Sequence, residues 1–283
     1  MKAYFALALV LSLLLLTPAV QAEAPRIPWV SPASKVGLTI GITDVEIVYN
    51  RPAVKGRTIW GGLVPYGEVW RMGANAATTL SFSTPVQVAG QEVPAGTYAL
   101  FAIPGKEKWT LILNRQAKQW GAYFHKPEED QLRFEVTPRP GAETEWMAFT
   151  LTPKGPDAAV AEMDWAGLRV PFEIKVDVEK MVWANIDAAL ADNPGFDTYL
   201  TAYNYARDTG KRLDEAMGWI DKSMALRESF WAHEAKARLL ERQGQRAEAL
   251  EHLEKAMTLA KGKAPQAYVD NLDKLKAEWK AKG

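Results

Sequence analysis

Leu168–Leu190, LRVPFEIKVDVEKMVWANIDAAL, is where the chain changes its period. Val170, Phe172, Ile174 and Val176 alternate with Arg169, Pro171, Glu173 and Lys175, the two-residue repeat of a half-buried strand. After Asp177 the apolar residues Val182, Ile186, Ala189 and Leu190 fall on one face of a 3.6-residue helix. The change happens once and the helical period then holds to the C-terminus. Strands first and helices afterwards indicate an α+β chain: an N-terminal antiparallel β-sandwich or barrel over residues 31–177, then an all-α domain over residues 178–283.

Upstream of the switch, β-branched or alternating runs occur at Val36–Ile40, Val45–Tyr49, Thr78–Phe82, Val86–Val88, Thr97–Ile103, Trp109–Leu113, Leu132–Val136, Trp146–Leu151 and Val160–Trp165. Gly, Pro, Asn and Asp separate them at the spacing of a sandwich rather than a βαβ fold. Ala89-Gly90 and Ala166-Gly167 are read as tight hairpin turns. In Tyr98–Ile103 both alternating sets are apolar, so that strand is expected to be central and buried on both faces.

Downstream, Asp192-Asn193-Pro194-Gly195, Gly210 and Gly244 punctuate helical stripes, and the pattern supports six helices. Ala216, Ile220 and Ser223 recur 33 residues later as Ala249, Leu253 and Ala256. With Ala237, Leu240 and Gly244, the second unit resembles a tetratricopeptide repeat, which implies helix hairpins and a platform for a protein partner. A plain helical bundle buttressing the β half is the competing reading. No Gly/Ser-rich linker separates the halves, so a fixed docking is expected.

One long interruption stands between the β runs. Tyr49–Thr79, YNRPAVKGRTIWGGLVPYGEVWRMGANAATT, sets Arg51, Lys55, Arg57 and Arg71 among Tyr49, Trp60, Tyr66 and Trp70. Glycines and prolines break it too often for a helix or a strand pair, so it is read as a long ordered loop, a frequent carrier of function. Guanidinium groups bind carboxylates and phosphates through paired N–H donors, and aromatic rings can wall such a site or stack on a sugar. Arg51, Lys55, Arg57, Trp60, Tyr66, Trp70, Arg71 and Asn75 are therefore the candidate ligand-binding residues. The competing reading pins the loop with the same cations, paired to Glu46 and Glu68.

Other chemistry is sparse. The chain has no cysteine, which removes disulfides, thiolate catalysis and cysteine metal sites. No two glycines stand at i and i+2, no G-x-x-x-x-G-K or G-x-S-x-G occurs, and His233-Glu234 lacks the second histidine of H-E-x-x-H. His233 and His252 are read as solvated residues on polar helix sides. His125, the one imidazole of the β half, can be a general acid or base, or a loop residue bonded to backbone; Glu68 has the same ambiguity. No cofactor and no metal are expected.

The N-terminus supplies an address. Lys2, the apolar run Phe5–Leu16 and the small residues around Ala22 form a signal peptide over residues 1–22, so the mature chain is expected to start at Glu23 in the periplasm or outside the cell. The run is shorter than the roughly 20 residues a membrane span needs, and no stable span is expected after cleavage. Loss of Lys2 leaves 33 basic against 34 acidic residues, a balance that argues against nucleic-acid binding.

The loop together with VPAGTYALFAIPG, WTLILN and WG resembles the exported bacterial domain-of-unknown-function family DUF2911, over roughly Ser31–Val178. The resemblance implies export and a β domain, some members carry a helical extension, and it brings no activity or catalytic residues. Three functions stay open: a non-catalytic envelope binding module for an anionic or sugar-like ligand, a hydrolase or lyase on an anionic substrate with His125 or Glu68 as acid or base, and a scaffold.

Overall fold

The computed structural model describes residues 27–281; the expected signal peptide over residues 1–22 lies outside them. Among the described residues twelve strands run before six α-helices, with one short 3-10 helix, Pro127–Glu129, between two of the strands. The strands are β1 (Ala33–Ile40), β2 (Thr43–Asn50), β3 (Thr78–Phe82), β4 (Val86–Val88), β5 (Gln91–Val93), β6 (Gly96–Ile103), β7 (Trp109–Asn114), β8 (Asp130–Val136), β9 (Arg139–Pro140), β10 (Ala148–Pro153), β11 (Ala158–Trp165) and β12 (Leu168–Lys175). The helices are α1 (Val178–Ala191), α2 (Phe196–Thr209), α3 (Leu213–Leu226), α4 (Phe230–Arg242), α5 (Arg246–Ala260) and α6 (Gln266–Ala281).

The strands form two antiparallel sheets, ordered β1-β2-β3-β6-β7-β8 and β10-β11-β12-β4-β5, with β9 beside β12. One apolar core lies between them, joining Ile47, Leu80, Leu100 and Leu111 of the first sheet to Met163, Phe172 and Ile174 of the second. Two separate sheets sharing a core make a sandwich, not a closed barrel. Tight turns set the pairing where glycine follows a left-handed residue. Ala166 (φ 47°) and Gly167 (φ 76°) reverse β11 into β12, and Ala89 (φ 49°) with Gly90 (φ 79°) reverses β4 into β5. Consecutive positive φ values are those of a type I′ turn, whose twist matches the strands it joins.

Strand β6 is central, and Tyr98–Ala102 are all buried. Tyr98, Leu100 and Ala102 enter the shared core, while Ala99 and Phe101 join Ala77 and Ile112 in a smaller cluster covered by Val69 and Ala122. Strand pleating puts these two sets on opposite faces of the first sheet. The outer face is therefore roofed by parts of loops, a point that decides where His125 sits.

Asp177 begins the helical half as an N-cap, its Oδ1 accepting from the Lys180 amide at 3.1 Å. Val178 and Met181 of the first turn pack on the sandwich core. At Gly41 in the β1–β2 turn a Cβ would stand 2.4 Å from the Val178 side chain, so only glycine lets the helix approach that closely. The helices pack in succession, α2 against α3, α3 against α4, α4 against α5 and α5 against α6. No described helix is long and apolar enough to cross a membrane.

The expectation of solvated His233 and His252 is corrected. His233 is 2% exposed; its Nδ1 lies 2.9 Å from Nδ1 of His252 and its Nε2 3.0 Å from Glu228 Oε1. Helix α4 is packed on more than one side, with Ala232, Ala235, Ala237, Leu239 and Leu240 all buried, so its polar flank also faces a neighbour.

Candidate functional site

The loop after β2 closes one end of the sandwich by tying both sheets. Ala53 bridges to Trp146, the Val54 amide donates to Glu145 O at 2.8 Å, and the Met147 amide donates to Pro52 O at 3.0 Å. A compact turn follows, with the Leu63 amide on Thr58 O at 3.0 Å and the Val64 amide on Ile59 O at 2.9 Å. Gly62 is required there, since a Cβ would sit 2.4 Å from the Thr58 carbonyl oxygen. The chain then rejoins the first sheet at Trp70, which exchanges two backbone bonds with Ala102 at 2.7 and 2.8 Å.

Four indoles meet beneath this loop. Trp60 lies edge-on to Trp70, Trp109 and Trp165 with centroids 5.9, 5.0 and 5.7 Å away, and Trp70 stacks on Trp165 at 6.0 Å and 20°. Each such pair contributes about 0.5–1.5 kcal/mol beyond area burial. The Trp60 indole N–H also donates to Ala166 O at 3.0 Å, which locks the loop to the β11–β12 turn.

Above Trp70 and Trp165 opens a cleft of about 280 Å3, into which Lys55, Arg57 and Arg71 contribute. No carboxylate lines it among the described residues. Arg57 is aimed by its own turn, donating from Nε to Val54 O at 3.0 Å and from Nη2 to Ala53 O at 2.5 Å. The Lys55 amide is held by Glu145 Oε1 at 2.9 Å, with Lys55 at φ 50°. The Arg57 guanidinium is thus partnered, whereas among the described residues neither the Lys55 ammonium nor the Arg71 guanidinium is. The Arg71 side chain makes no hydrogen bond or ion pair to the described residues, and its Nε is buried without an acceptor. Burial pulls the Arg71 pKa below the ordinary arginine value, opposed in part by the nearby Tyr123 phenol. Arg71 is thus a cation stripped of part of its water with no counter-charge in its cleft, and guanidinium chemistry suits anions.

The backbone around Arg71 is strained. Met72 (φ 47°) and Asn75 (φ 58°) are left-handed without being glycine, at a cost of about 1–2 kcal/mol for Met72 and less for Asn75, whose side chain tolerates that conformation. They persist because the Met72 carbonyl accepts from Thr78 Oγ1 at 2.7 Å and the Ala74 amide donates to Asn50 O at 3.2 Å.

The remaining candidates fall elsewhere. Arg51 donates from Nε to Met147 O at 2.7 Å and acts as a brace between the sheets. Tyr66 is exposed and its ring covers Gly61. Asn75 supports the rim by donating from Nδ2 to Ser31 O at 3.4 Å. Glu46 pairs with Lys35 rather than an arginine. Glu68 is exposed and makes no ion pair with Arg71. His125, whose side chain is only 6% exposed, bonds through Nε2 to Asp130 Oδ1 at 2.9 Å and packs edge-on to Phe101 on the outer face of the first sheet. Asp130 is further held by Asn114 Nδ2 at 2.8 Å and Arg133 Nε at 2.6 Å. Neither His125 nor Glu68 lines the cleft. Sequence reasoning missed Trp165, Leu63 and Ser31; Trp165 reads as an ordinary inward residue of β11, and nothing in its local pattern separates it from Met163.

A family model described as "Protein of unknown function (DUF2911)" matches residues 31–174, just over half of the chain. The match ends at the last β-strand and leaves the helices outside it. No curated protein and no solved structure matches the chain.

Proposed function

The chain belongs to the DUF2911 family of proteins of unknown function, and from that premise we propose a non-catalytic binding protein of the bacterial envelope. Its β domain, residues 31–177, holds a small anionic ligand in the Lys55–Arg57–Arg71 cleft. The observation that carries this reading is Arg71: a partly buried guanidinium in a carboxylate-free cleft over two indoles. A purely structural arginine would have its Nε satisfied, as Arg51 does on Met147 O. The hydrolase or lyase reading loses support because its acid–base residues stand outside the cleft.

The helical domain, residues 178–283, serves in this proposal as a tetratricopeptide-like platform for a protein partner. Support comes from the internal repeat: Ala216, Ile220 and Ser223 of α3 are fully buried, as are Ala249, Leu253 and Ala256 of α5. Export rests on the signal-peptide pattern of residues 1–22.

Calorimetric titration with citrate, inorganic phosphate and galacturonate at low salt tests the cleft. At least one anion is expected to bind, and Arg71→Gln is expected to weaken it about tenfold or more, the loss of a charge-assisted bond. Equal affinity of the variant, or no binding of any anion, would overturn the reading.

A further inference from the structure

Large apolar side chains left open to water are not spread evenly over the described residues. Six of thirteen belong to two short segments: Ile27, Trp29 and Val30 before β1, and Trp120, Tyr123 and Phe124 between β7 and β8. The two segments meet, with the Trp29 and Trp120 ring centroids 5.7 Å apart. Val48, Ala76 and Ala117 carry the apolar surface on from Trp120, in a hollow that Lys118 also lines. Single exposed apolar residues are ordinary, but a joined group of this kind marks a contact surface.

The loop that bears three of these rings is pinned at both ends. Trp120 bridges to Ala76, and the Gly121 amide donates to Asn75 O at 3.1 Å. His125 closes the turn: its amide donates to Ala122 O at 3.2 Å, and its ring is held by Asp130 at 2.9 Å. Gly121 is left-handed (φ 68°), and a Cβ there would stand 2.6 Å from the Tyr123 ring, so glycine lets that ring lie on the turn beside Trp120. Tyr123 and Phe124 nevertheless stay 80 and 67% exposed.

Charge flanking the rings is mainly positive. Residues 115–126, RQAKQWGAYFHK, carry Arg115, Lys118 and Lys126 and no carboxylate. Lys118 and Lys126 are exposed, and the carboxylate that meets Lys126, that of Glu129, stands 3.9 Å away. Asp130 is occupied by His125, Asn114 and Arg133. Cores of protein–protein interfaces are depleted in lysine. Lysines beside tryptophan and tyrosine are instead the composition of a surface that meets a bilayer, where rings sit among the headgroups and ammonium groups meet phosphates.

We propose that this face rests on an anionic phospholipid surface, with Trp29, Trp120, Tyr123 and Phe124 at the headgroup level and Lys118 and Lys126 against lipid phosphates. The chain itself brings a bilayer to the face. Ten residues separate the apolar run Phe5–Leu16 from Ile27. Ten extended residues reach at most roughly 35 Å, so a membrane entered by that run before cleavage lies within reach of Trp29 and its neighbours. The proposal does not depend on the anion-binding reading of the Arg71 cleft.

The test is sedimentation of the chain from Glu23 to Gly283, which contains every described residue, with vesicles of phosphatidylglycerol mixed into phosphatidylethanolamine and with vesicles of phosphatidylcholine alone. Partition onto the phosphatidylglycerol vesicles is expected, with weaker partition onto phosphatidylcholine. Tyr123→Ser/Phe124→Ser should lower partition onto phosphatidylglycerol by about tenfold or more, through loss of inserted apolar area. Lys118→Glu/Lys126→Glu, which leaves every ring in place, should lower it several-fold and decides the matter if the ring variant melts early. Absence of wild-type binding, equal partition onto both vesicle types, or partition unchanged in the folded variants would each overturn the proposal. A loss in Arg71→Gln as large as in the ring variant would overturn it by assigning the headgroup to the cleft. A wild-type dimer that the ring variant dissociates in sedimentation velocity would overturn it by assigning the face to a second copy of the chain.

Discussion

Replacing Arg71 by methionine separates what the site costs the apo protein from what it is for. Arg71 has a buried Nε–H with no acceptor and no carboxylate in its cleft. An unsatisfied buried donor costs about 1–3 kcal/mol, and the guanidinium N–H groups that reach cleft water place Arg71 at the lower end. Methionine keeps an unbranched apolar stem against the indoles and removes both the donor and the charge. The variant is therefore expected to be more stable than wild type by about 1 kcal/mol, or about 2–4 °C in melting temperature for a chain of this size. Urea unfolding reads the same change as a higher midpoint with an unchanged slope. Anion binding should disappear in the same protein. A variant destabilised by 1 kcal/mol or more would refute the reasoning, because it would mean that the guanidinium is satisfied in the native state. Retained anion affinity would refute it from the other side.

Further outcomes follow from other parts of the chain. His252 is held at a pKa of about 4, below its ordinary 6.5, by burial and then by His233, Lys236 and Lys255, with Asp221 opposing. The unfolded chain thus binds a proton that the native state refuses, so this stability is complete above pH 6.5 and is lost as pH falls toward 4. Discounted for partial exposure, the loss is about 1–2 kcal/mol, and His252→Gln should flatten urea midpoints measured across that window. Gly62→Ala forces a Cβ to 2.4 Å from the Thr58 oxygen and should destabilise by about 2 kcal/mol or more in thermal unfolding. Trp165→Ala removes a fully buried indole from the four-ring cluster and should cost about 3–5 kcal/mol, with a reduced near-UV circular dichroism signal.

The fold was open to reading because its signals are local. The alternation in Val170–Val176 and the doubly apolar Tyr98–Ile103 each report burial through spacing alone, and DUF2911 motifs span the same β region; of the stripe Val182, Ile186, Ala189 and Leu190 only Ile186 is buried, because the buried Trp183 turns the contact face of that helix. The site was legible only by half. The sequence places Arg57, Trp70 and Arg71 in one loop, but which guanidinium is left unpaired depends on the carbonyls that Arg51 and Arg57 find, Met147 O lying 96 positions from Arg51 and Ala53 O four from Arg57. Trp165 reaches the cleft only because β11 lies in the opposite sheet. His125 and His233 were misjudged or left ambiguous for a related reason: each is buried by an element distant in sequence or by a second neighbouring helix, and helix or loop pattern does not register that.

The most direct test of the account is anomalous scattering from crystals soaked in selenate, a tetrahedral anion that a guanidinium can bind bidentately. The account predicts a selenium peak in the Lys55–Arg57–Arg71 cleft, within about 4 Å of the Arg71 guanidinium and above Trp70. An empty cleft beside occupied surface sites, or an Arg71 side chain found paired with a carboxylate of the same chain, would contradict it.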